Sequence, residues 1–240
     1  MILKRWEDLP NNMQTEAVRP YYDALKKRQA SLIMKRFFDI TVSALMLLVL
    51  LPIFLILAVA IKLDSPGPVF YRQVRVTQYG KEFRIFKFRS MVNNADKIGS
   101  QVTVGNDCRI TRVGKFIRKC RLDELCQLID VLRGTMTFVG TRPEVPKYVE
   151  AYTPEMMATL LLPAGVTSEA SILYKDEARL LENAGDVDAV YIRDVLPGKM
   201  RYNLYSIKRF SFCSDICTMF RTVFAVLGKE YPDVLETQAK

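Results

Sequence analysis

The stretch ITVSALMLLVLLPIFLILAVAI, residues 40–61, contains 22 residues without a charge or a glycine. As an α-helix it would be roughly 33 Å long at about 1.5 Å per residue, enough to cross a hydrocarbon core of about 30 Å. The stretch begins too late in the chain, and runs too long, for a cleaved signal peptide, and it lacks a small-residue cleavage site. A buried core helix is the alternative interpretation. The length and uniformity of the stretch favour a membrane segment.

Pro52 and the flanking charges bear on how this segment meets the bilayer. A proline inside a helix removes one backbone hydrogen bond and kinks the helix. Residues 20–39 contain five Lys or Arg and residues 62–81 contain four, which is close to a tie. A helix that spans a membrane usually has an excess of positive charge on one side. We therefore predict a re-entrant hairpin over residues 34–62, broken at Pro52, in preference to a span.

The net charge of the chain is +9 and is unevenly distributed. Residues 62–121 contain 14 Lys and Arg against 4 Asp and Glu, so the rest of the 240 residues sums to about −1. A block this basic beside a membrane segment predicts an anionic partner: phospholipid head groups, a phosphorylated substrate or nucleic acid. Nucleic acid is the weakest of the three, because the basic block would lie against a bilayer.

Histidine is absent from the chain, which excludes several kinds of active site. Ser-His-Asp and Cys-His nucleophile pairs, HExxH zinc sites and histidine proton shuttles all require it. Acid–base chemistry would fall to carboxylates, Lys, Tyr or Cys. The five cysteines form no CxxC pair and are odd in number, which favours reduced thiols over a disulfide framework or a zinc site.

The remaining sequence predicts an α+β protein that is predominantly helical. Residues 1–33 are expected to form a helical arm near the membrane surface, and residues 63–240 a compact cytosolic domain with a small β-hairpin or sheet and interfacial helices. The stretch FRIFKFR, residues 83–89, is typical of a strand. Its alternation places Lys87 and Arg89 on one face, roughly 7 Å apart. Two such cations suit a diphosphate, although a solvated strand edge is the alternative.

Two helices are predicted next, and the second carries paired carboxylates. The first covers residues 112–120 and the second residues 121–134, with Gly134 as its stop. Leu122, Leu125, Ile129 and Leu132 are predicted to face inward. Asp123 and Glu124 begin the second helix off this apolar face, about 100° apart around its axis. Acidic residues in a first turn often only complement the helix dipole. Surrounding Arg residues would nevertheless keep a carboxylate ionised, and able to attack a phosphorus that they bind.

Three further patterns complete the chain. MTFVG, residues 136–140, is typical of a short strand, and TRPEVPKY, residues 141–148, of a turn that begins a helix. Residues 214–227 carry an apolar stripe at helical spacing. Packing in the core is the default interpretation of that stripe, and a helix lying in the membrane interface is the alternative.

The order of these motifs resembles the bacterial sugar transferase family. The likeness covers SPGPVFYRQ (residues 65–73), FKFRSM (86–91), RVGKFIRKCRLDELCQLIDVLRG (112–134) and TFVGTRPEVPKYVE (137–150). It extends from about Met34 to Lys229. Members of this family are monotopic polyprenyl-phosphate phosphoglycosyl transferases that assemble capsules, exopolysaccharides and glycoproteins. The resemblance implies a membrane helix bent at a proline, and Pro52 matches that position.

The resemblance also implies a reaction and its residues. Asp123 would attack the β-phosphate of a UDP-sugar, release UMP and form an aspartyl-phosphosugar, which polyprenyl phosphate then attacks, with Mg²⁺ assisting. Glu124 would activate the acceptor or, with Asp123, hold the metal. Basic positions expected to bind phosphates are Lys87, Arg89, Arg112, Arg118, Arg121 and Arg142. The protein would lie on the cytosolic face of the bacterial inner membrane, in contact with phospholipid. The alternative to this reaction is a non-catalytic, membrane-tethered polybasic module that binds lipid or a partner. Self-association, the sugar and the pathway are left open.

Four residues depart from the pattern that the resemblance implies. Cys126 stands where proline is usual and Thr141 where the family usually has proline. These two changes are expected to alter turns only. Thr135 and Asn203 stand where aspartate is common, so each removes a carboxylate whose role in relatives need not transfer.

Overall fold

The computed structural model describes residues 1–93, 95, 107–174, 186–229 and 231–232. Most of them are helical, and the strands form two small sheets. The predicted α+β class with helical predominance is confirmed.

The apolar segment lies within one helix, α2 (Gln29–Asp64), which follows a shorter helix, α1 (Arg19–Lys26). α2 is long and apolar enough to cross a membrane. Pro52 lies inside it, and helix continues on both sides of the proline. The predicted break at Pro52 is therefore not confirmed. A proline ring still removes one backbone donor at this point, so the helix is weakest there.

Burial along α2 is confined to its two ends. Near the start, Leu32, Lys35, Asp39 and Ser43 are buried; near the end, Leu57 and Ile61 are buried. No residue of the helix between positions 44 and 56 is buried. Leu48, Val49, Leu51 and Ile53 are 42–70% exposed. Met46, Leu47, Leu50 and Phe54 are half-buried against the core clusters. Both ends of α2 are thus buried against protein, whereas its apolar middle packs on one face only and leaves apolar side chains exposed on the other.

Buried polar groups fix the start of α2 to the rest of the chain. Lys35 donates from Nζ to the backbone oxygen of Val139 at 2.8 Å and forms an ion pair with Asp215. Asp39 accepts from Thr137 Oγ1 at 2.7 Å. Buried charges are retained only when they are paired or hydrogen-bonded, and these satisfy that condition.

The first 28 residues belong to the core, a packing that the sequence did not predict. Two short 3₁₀ turns, Trp6–Asp8 and Asn11–Met13, precede α1. Met13, Val18 and Leu25 are fully buried in a cluster that also contains residues 204–210 and 157–162. The segment expected to form an arm near the membrane therefore packs against the same body that carries the remaining helices.

Two small sheets follow α2. β1 (Phe70–Val76) pairs antiparallel with β2 (Glu82–Phe88), which confirms the predicted strand and hairpin. β3 (Met136–Val139) pairs in parallel with β4 (Ala164–Thr167). Just beyond β3 the backbones approach closely: a Cβ at Gly165 would lie 2.2 Å from the nitrogen of Gly140. Only glycine permits this approach, and it holds the loop after β3 in place.

The segment between the sheets contains a correction. α3 (Arg112–Lys119) ends before Arg121, whose φ of 55° reverses the chain direction. A 3₁₀ turn, Leu122–Gln127, then leads into α4 (Leu128–Arg133). The single helix predicted over residues 121–134 is thus wrong. Because the tighter turn shifts the phase of the side chains, the fully buried residues are Cys126, Gln127, Leu128, Asp130 and Val131. Of the four residues predicted to face inward, Leu122 and Ile129 are half-buried against a core cluster, Leu125 is half-buried, and Leu132 is exposed.

The last part of the described chain is helical. Its helices are α5 (Pro146–Val149), α6 (Glu169–Leu173), α7 (Val187–Val190), α8 (Leu196–Lys208) and α9 (Phe212–Val226). A 3₁₀ turn, Met156–Leu161, follows α5, and a π-helical turn, Tyr191–Val195, joins α7 to α8. α9 confirms the predicted C-terminal helix. Its exposed apolar residues are Phe220, Val223, Phe224 and Val226, a surface that favours the interfacial alternative over full core packing.

Candidate active site

A cleft of about 1240 Å³ lies between the β1–β2 hairpin, the turn after α3 and the loop that follows β3. Asp123 and Glu124 lie at its wall, as do most of the basic residues that the sequence analysis singled out. The lining cations on the described chain include Arg75, Lys87, Arg118, Arg121 and Arg142. A cleft lined this way attracts and orients an anionic ligand.

Asp123 and Glu124 reach this cleft from the 3₁₀ turn Leu122–Gln127, not from an α-helix. Arg121, immediately before them, adopts the left-handed backbone conformation with φ 55°. A residue other than glycine is uncommon there, and such positions concentrate at functional sites. The reversal at Arg121 is what turns the two carboxylates away from the direction of α3.

The carboxylate of Glu124 is held by two cations. Lys87 Nζ lies 3.1 Å from its Oε1, and Arg142 Nη2 lies 2.5 Å from the same oxygen. Arg142 Nη1 donates to Oε2 at 3.3 Å. Both oxygens of Glu124 therefore accept hydrogen bonds from charged donors, the strongest kind of hydrogen bond that proteins form.

The carboxylate of Asp123 is differently placed. Among the described residues, no side chain donates a hydrogen bond to it and none forms an ion pair with it. It is half-buried, and it lines the cleft. Two adjacent carboxylates thus have opposite surroundings, and only that of Asp123 is open to a ligand.

The pKa values follow these surroundings. Burial raises the pKa of Asp123, and the negative charge of Glu124 raises it further. Burial alone would also raise the pKa of Glu124, but Arg142 and Lys87 outweigh it and hold that pKa well below its usual range. Burial lowers the pKa of Lys87, with Arg142 and Arg75 adding to the effect and Glu124 opposing it. Glu124 is therefore ionised throughout the physiological range.

Lys87 and Arg89, which the strand alternation predicts to bind a diphosphate together, have different partners in the structure. Arg89 is only 5% exposed. Its guanidinium donates to Ser65 O at 2.6 Å and to Pro66 O at 2.8 Å, just beyond the end of α2. Arg89 thus bonds the carbonyls of the two residues that follow α2, and it also donates to Ile61 O, near the end of the helix, at 3.4 Å. Although Arg89 borders the cleft, its charged group is engaged at the helix end.

Of the other four predicted phosphate ligands, three line the cleft and one does not. Arg118 and Arg121 line the cleft together with Arg142. Arg112 is exposed in the first turn of α3 and is not part of the cleft wall. Of the six basic positions predicted from the sequence, four have a side chain placed to meet a ligand in the cleft: Lys87, Arg118, Arg121 and Arg142.

Arg75 is a site residue that the sequence analysis missed. It lies on β1, and its Nη1 donates to the backbone oxygen of Pro143 at 3.0 Å, next to Arg142. Its remaining donors bond Gln73 Oε1. The alternation along YRQVRV could have indicated Arg75, because Tyr71 pairs with Lys87 and positions 71, 73 and 75 lie on the same face of the hairpin as Lys87. Arg75 supports the loop that carries Arg142.

A buried network holds the other side of this loop. Glu144 accepts from Tyr191 Oη at 2.6 Å and pairs with Lys199 Nζ at 3.4 Å. Lys199 also donates to Tyr191 Oη at 2.8 Å. All three side chains are at least nine-tenths buried. No sequence pattern indicated this network, since Glu144 lies 47 positions from Tyr191 and 55 positions from Lys199.

The four departures lie away from the charged centre of the cleft. Cys126 is fully buried in the core, and its thiol, like the other four, is free. Thr135 Oγ1 donates to the backbone oxygen of Asp130 at 3.1 Å. Asn203 is buried on α8, and its Oδ1 has no partner among the described residues. The carbonyl of Thr141 accepts from Gly165 at 2.8 Å, in the loop after β3.

A magnesium ion fits this site through Asp123 and not through Glu124. Within the described part of the chain, no cluster of three or more acidic or cysteine side chains could hold a metal ion. Glu124 would have to give up its bonds to Lys87 and Arg142, whereas the carboxylate of Asp123 is available. Mg²⁺ is commonly bound by one or two carboxylates together with substrate phosphates, which matches a single available carboxylate in a phosphate-binding cleft.

Comparison with known proteins identifies the family of this chain. The model of the family described as "Bacterial sugar transferase" matches residues 30–229. A UDP-N-acetylgalactosamine-undecaprenyl-phosphate N-acetylgalactosaminephosphotransferase of Aeromonas hydrophila is 37% identical over 196 residues, 80% of this chain and 43% of that protein. A UDP-glucose:undecaprenyl-phosphate glucose-1-phosphate transferase of Klebsiella pneumoniae is 38% identical over 200 residues, 81% of this chain and 40% of that protein.

A third relative has a length similar to this chain. The exopolysaccharide production protein PSS of Rhizobium leguminosarum bv. phaseoli is 36% identical over 205 residues, 82% of this chain and 97% of that protein. This chain spans less than half the length of the Aeromonas and Klebsiella relatives. The matched residues include α2, the hairpin, Asp123, Glu124 and the loop after β3. The chain belongs to the bacterial sugar transferase family.

Proposed function

We propose that this protein transfers a sugar-1-phosphate from a UDP-sugar to polyprenyl phosphate at the cytosolic face of the bacterial inner membrane. The observation that carries the proposal is the contrast within the cleft: Asp123 is unpaired among the described residues, and Glu124 beside it is fully paired with cations. The printed names of the Aeromonas and Klebsiella relatives describe transfer of this kind to undecaprenyl phosphate.

The proposed reaction has two steps on one phosphorus atom. In the first, a carboxylate oxygen of Asp123 attacks the β-phosphorus of the UDP-sugar, and the bond from that phosphorus to the bridging oxygen breaks. UMP leaves with the electron pair. In the second, a phosphate oxygen of the lipid acceptor attacks the same phosphorus, and the bond to Asp123 breaks. The products are a polyprenyl-diphosphate sugar and the restored carboxylate.

The cations of the cleft suit both steps. Lys87, Arg118, Arg121 and Arg142 line the space in front of Asp123, and donors already in place stabilise charge that develops on a transferring phosphoryl group. Asp123 would hold Mg²⁺ together with the diphosphate of the donor. When bound, the ion would neutralise charge on the diphosphate and on the leaving UMP.

Asp123 can be tested directly with purified protein. We expect one member of a panel of UDP-N-acetylglucosamine, UDP-N-acetylgalactosamine, UDP-glucose and UDP-galactose to yield UMP when Mg²⁺ and undecaprenyl phosphate are present. Asp123→Asn should lower the rate by at least about 10³-fold, as loss of a nucleophile typically does. Asp23→Asn, the same substitution on α1, should leave it unchanged. Release of UDP, or an active Asp123→Asn variant, would contradict the proposal. A rate that stays unchanged after chelation of Mg²⁺ would remove the metal from it.

We further propose that α2 enters one leaflet and returns, so that both its ends lie on the cytosolic side. Supporting this, Leu32 and Leu57, on opposite sides of Pro52, are both buried against the rest of the chain. Residues 1–28 pack into the same cluster as residues 204–210, which a straight span would place across the membrane from them. The exposed apolar residues around Pro52 would be the part immersed in lipid.

Labelling of cysteines in intact cells tests this topology. Lys27 and Lys81 are exposed, on opposite sides of α2. In a background with the four exposed cysteines replaced by serine, Lys27→Cys and Lys81→Cys should both resist a membrane-impermeant maleimide until the cells are permeabilised. Labelling of one but not the other in intact cells would indicate a span.

A further inference from the structure

The contacts of Glu124 fit neither of the two roles that the resemblance implies, which are activation of the acceptor and binding of the metal. Its two carboxylate oxygens accept three hydrogen bonds from Lys87 and Arg142, at 2.5–3.3 Å. The side chains of Glu124 and Lys87 are 18% and 20% exposed. A group that activates an acceptor must take a proton, and a metal ligand must offer lone pairs to the ion. The oxygens of Glu124 are committed to cations instead.

The two cations come from separate parts of the fold. Lys87 lies on β2, and Arg142 lies in the loop after β3. Two positive groups brought this close repel each other unless an anion lies between them. Glu124 is that anion: it lies at the point where the hairpin, the 3₁₀ turn and the loop meet. Removing its charge would let the two cations move apart.

The backbone around Arg142 is held independently of Glu124. Arg75 donates to Pro143 O at 3.0 Å on one side, and the carboxylate of Glu144 is bonded by Tyr191 at 2.6 Å on the other. The loop itself therefore stays in place when Glu124 changes. Glu124 determines the direction of the charged ends of Lys87 and Arg142, which line the same cleft as Asp123.

We infer that Glu124 is a positioning residue, which holds Lys87 and Arg142 beside Asp123 so that they meet the diphosphate of the donor. This inference rests on the proposed function. It predicts that Glu124 acts in the first step, through these two cations, and has no separate role in activating the lipid acceptor. Donors that are already oriented contribute more to phosphoryl transfer than donors that must reorganise.

The two steps can be measured apart. Exchange of labelled UMP into the UDP-sugar requires only the first step and needs no acceptor, whereas turnover with undecaprenyl phosphate requires both. Glu124→Gln should lower exchange and turnover by the same factor, about 10²-fold, the size expected for loss of one oriented donor group. A Glu124→Gln variant with normal exchange and slow turnover would overturn the inference, because that result assigns Glu124 to the acceptor step.

A double-mutant cycle provides the second readout. If Glu124 acts through Lys87, then Lys87→Met should lower the rate of exchange by a clearly smaller factor in the Glu124→Gln background than in the wild type. An equal loss of exchange activity in both backgrounds would also overturn the inference.

Glu124→Asp keeps the charge on a shorter side chain and should retain more exchange activity than Glu124→Gln. It replaces Glu124→Gln if that variant fails to fold. If the wild type showed neither exchange nor turnover, the proposed function itself would be contradicted. If the wild type were active and its exchange did not need Glu124, only the inference about Glu124 would be overturned.

Discussion

Two regions of the molecule collect charged side chains, and they use them differently. In the helix anchor, which we define as Lys35, Asp39, Asp64 and Arg89, every member bonds a backbone group of another element or an opposite charge. In the cleft, cations surround an open space, and the carboxylate of Asp123 has no side-chain partner among the described residues. The helix anchor fixes α2, and the cleft leaves a nucleophile available.

Lys87 and Arg89 show this difference although they are only two positions apart in the sequence. Both belong to FRIFKFR, and by charge they look interchangeable. Lys87 points to Glu124 at 3.1 Å, whereas Arg89 bonds the chain just after α2. A cation whose donors are consumed by backbone carbonyls stabilises the fold, and one that faces a cleft can bind a ligand. The type and spacing of charged residues do not distinguish these two cases.

The strongest test of the comparison is Lys87→Met. We expect kcat/KM for UMP release to fall by about 10²–10³-fold, because one oriented donor is lost from the phosphate site. The melting temperature should change little, since Glu124 keeps its bonds to Arg142. Activity and thermal unfolding of the same preparation check both parts, and a stability loss that accounts for the lost activity would contradict the assignment of Lys87 to the cleft.

Lys35→Met should have the largest effect on stability in the helix anchor. It leaves Asp215 buried without its ion-pair partner, and breaking a buried pair typically costs about 3 kcal/mol or more. The double variant Lys35→Met/Asp215→Leu should recover much of this loss, because no unpaired charge remains. Thermal unfolding in detergent measures both variants. If the single variant were as stable as the wild type, the pair would not anchor α2.

Arg89→Met should lower stability by about 2 kcal/mol, since several carbonyls near the end of α2 lose their donor. Arg89→Lys should lie between Arg89→Met and the wild type, because lysine keeps the charge but not the planar fork. The kcat of the folded protein should fall much less than in Lys87→Met. Normal stability together with an activity loss as large as that of Lys87→Met would restore the original prediction of a phosphate ligand.

A smaller effect concerns pH. The pKa of Asp123 is raised by burial and by the charge of Glu124, and only the ionised carboxylate attacks phosphorus. The rate of UMP exchange should therefore fall on the acid side at a higher pH than for an ordinary aspartate. In Glu124→Gln this acid limb should move to lower pH, because one negative neighbour is gone. An acid limb that stays in place would mean that another group controls it.

Much of the fold could be predicted, because it depends on local patterns. Residues 40–61 lie within α2, FRIFKFR lies in β2 apart from its last residue, and residues 214–227 lie largely in α9. The 3₁₀ turn at Asp123 could not be predicted, because it depends on the unusual backbone conformation of Arg121. The core packing of residues 1–28 depends on partners more than 100 residues away, which no local pattern records.

Most members of the candidate site could be predicted, although Arg75 was missed, and the partners of these side chains could not. Asp123, Glu124, Lys87 and Arg142 do meet at one cleft. The engagement of Arg89 at the end of α2 escaped prediction, because β2 ends at Phe88 and the alternation of a strand no longer applies at position 89. Unsatisfied carbonyls near the end of a helix attract a donor from wherever the fold supplies one, and the sequence does not reveal which donor is near.

The central claim is that Asp123 forms a covalent bond to the transferred phosphosugar. Incubation of the protein with Mg²⁺ and the accepted UDP-sugar, labelled in its sugar and without lipid acceptor, should leave the label on a peptide that contains Asp123. Addition of undecaprenyl phosphate should then release it as lipid product. Asp123→Asn should carry no label. Acceptor-dependent UMP release by wild-type protein that never carries the label would contradict the account, because it would indicate direct transfer from donor to lipid.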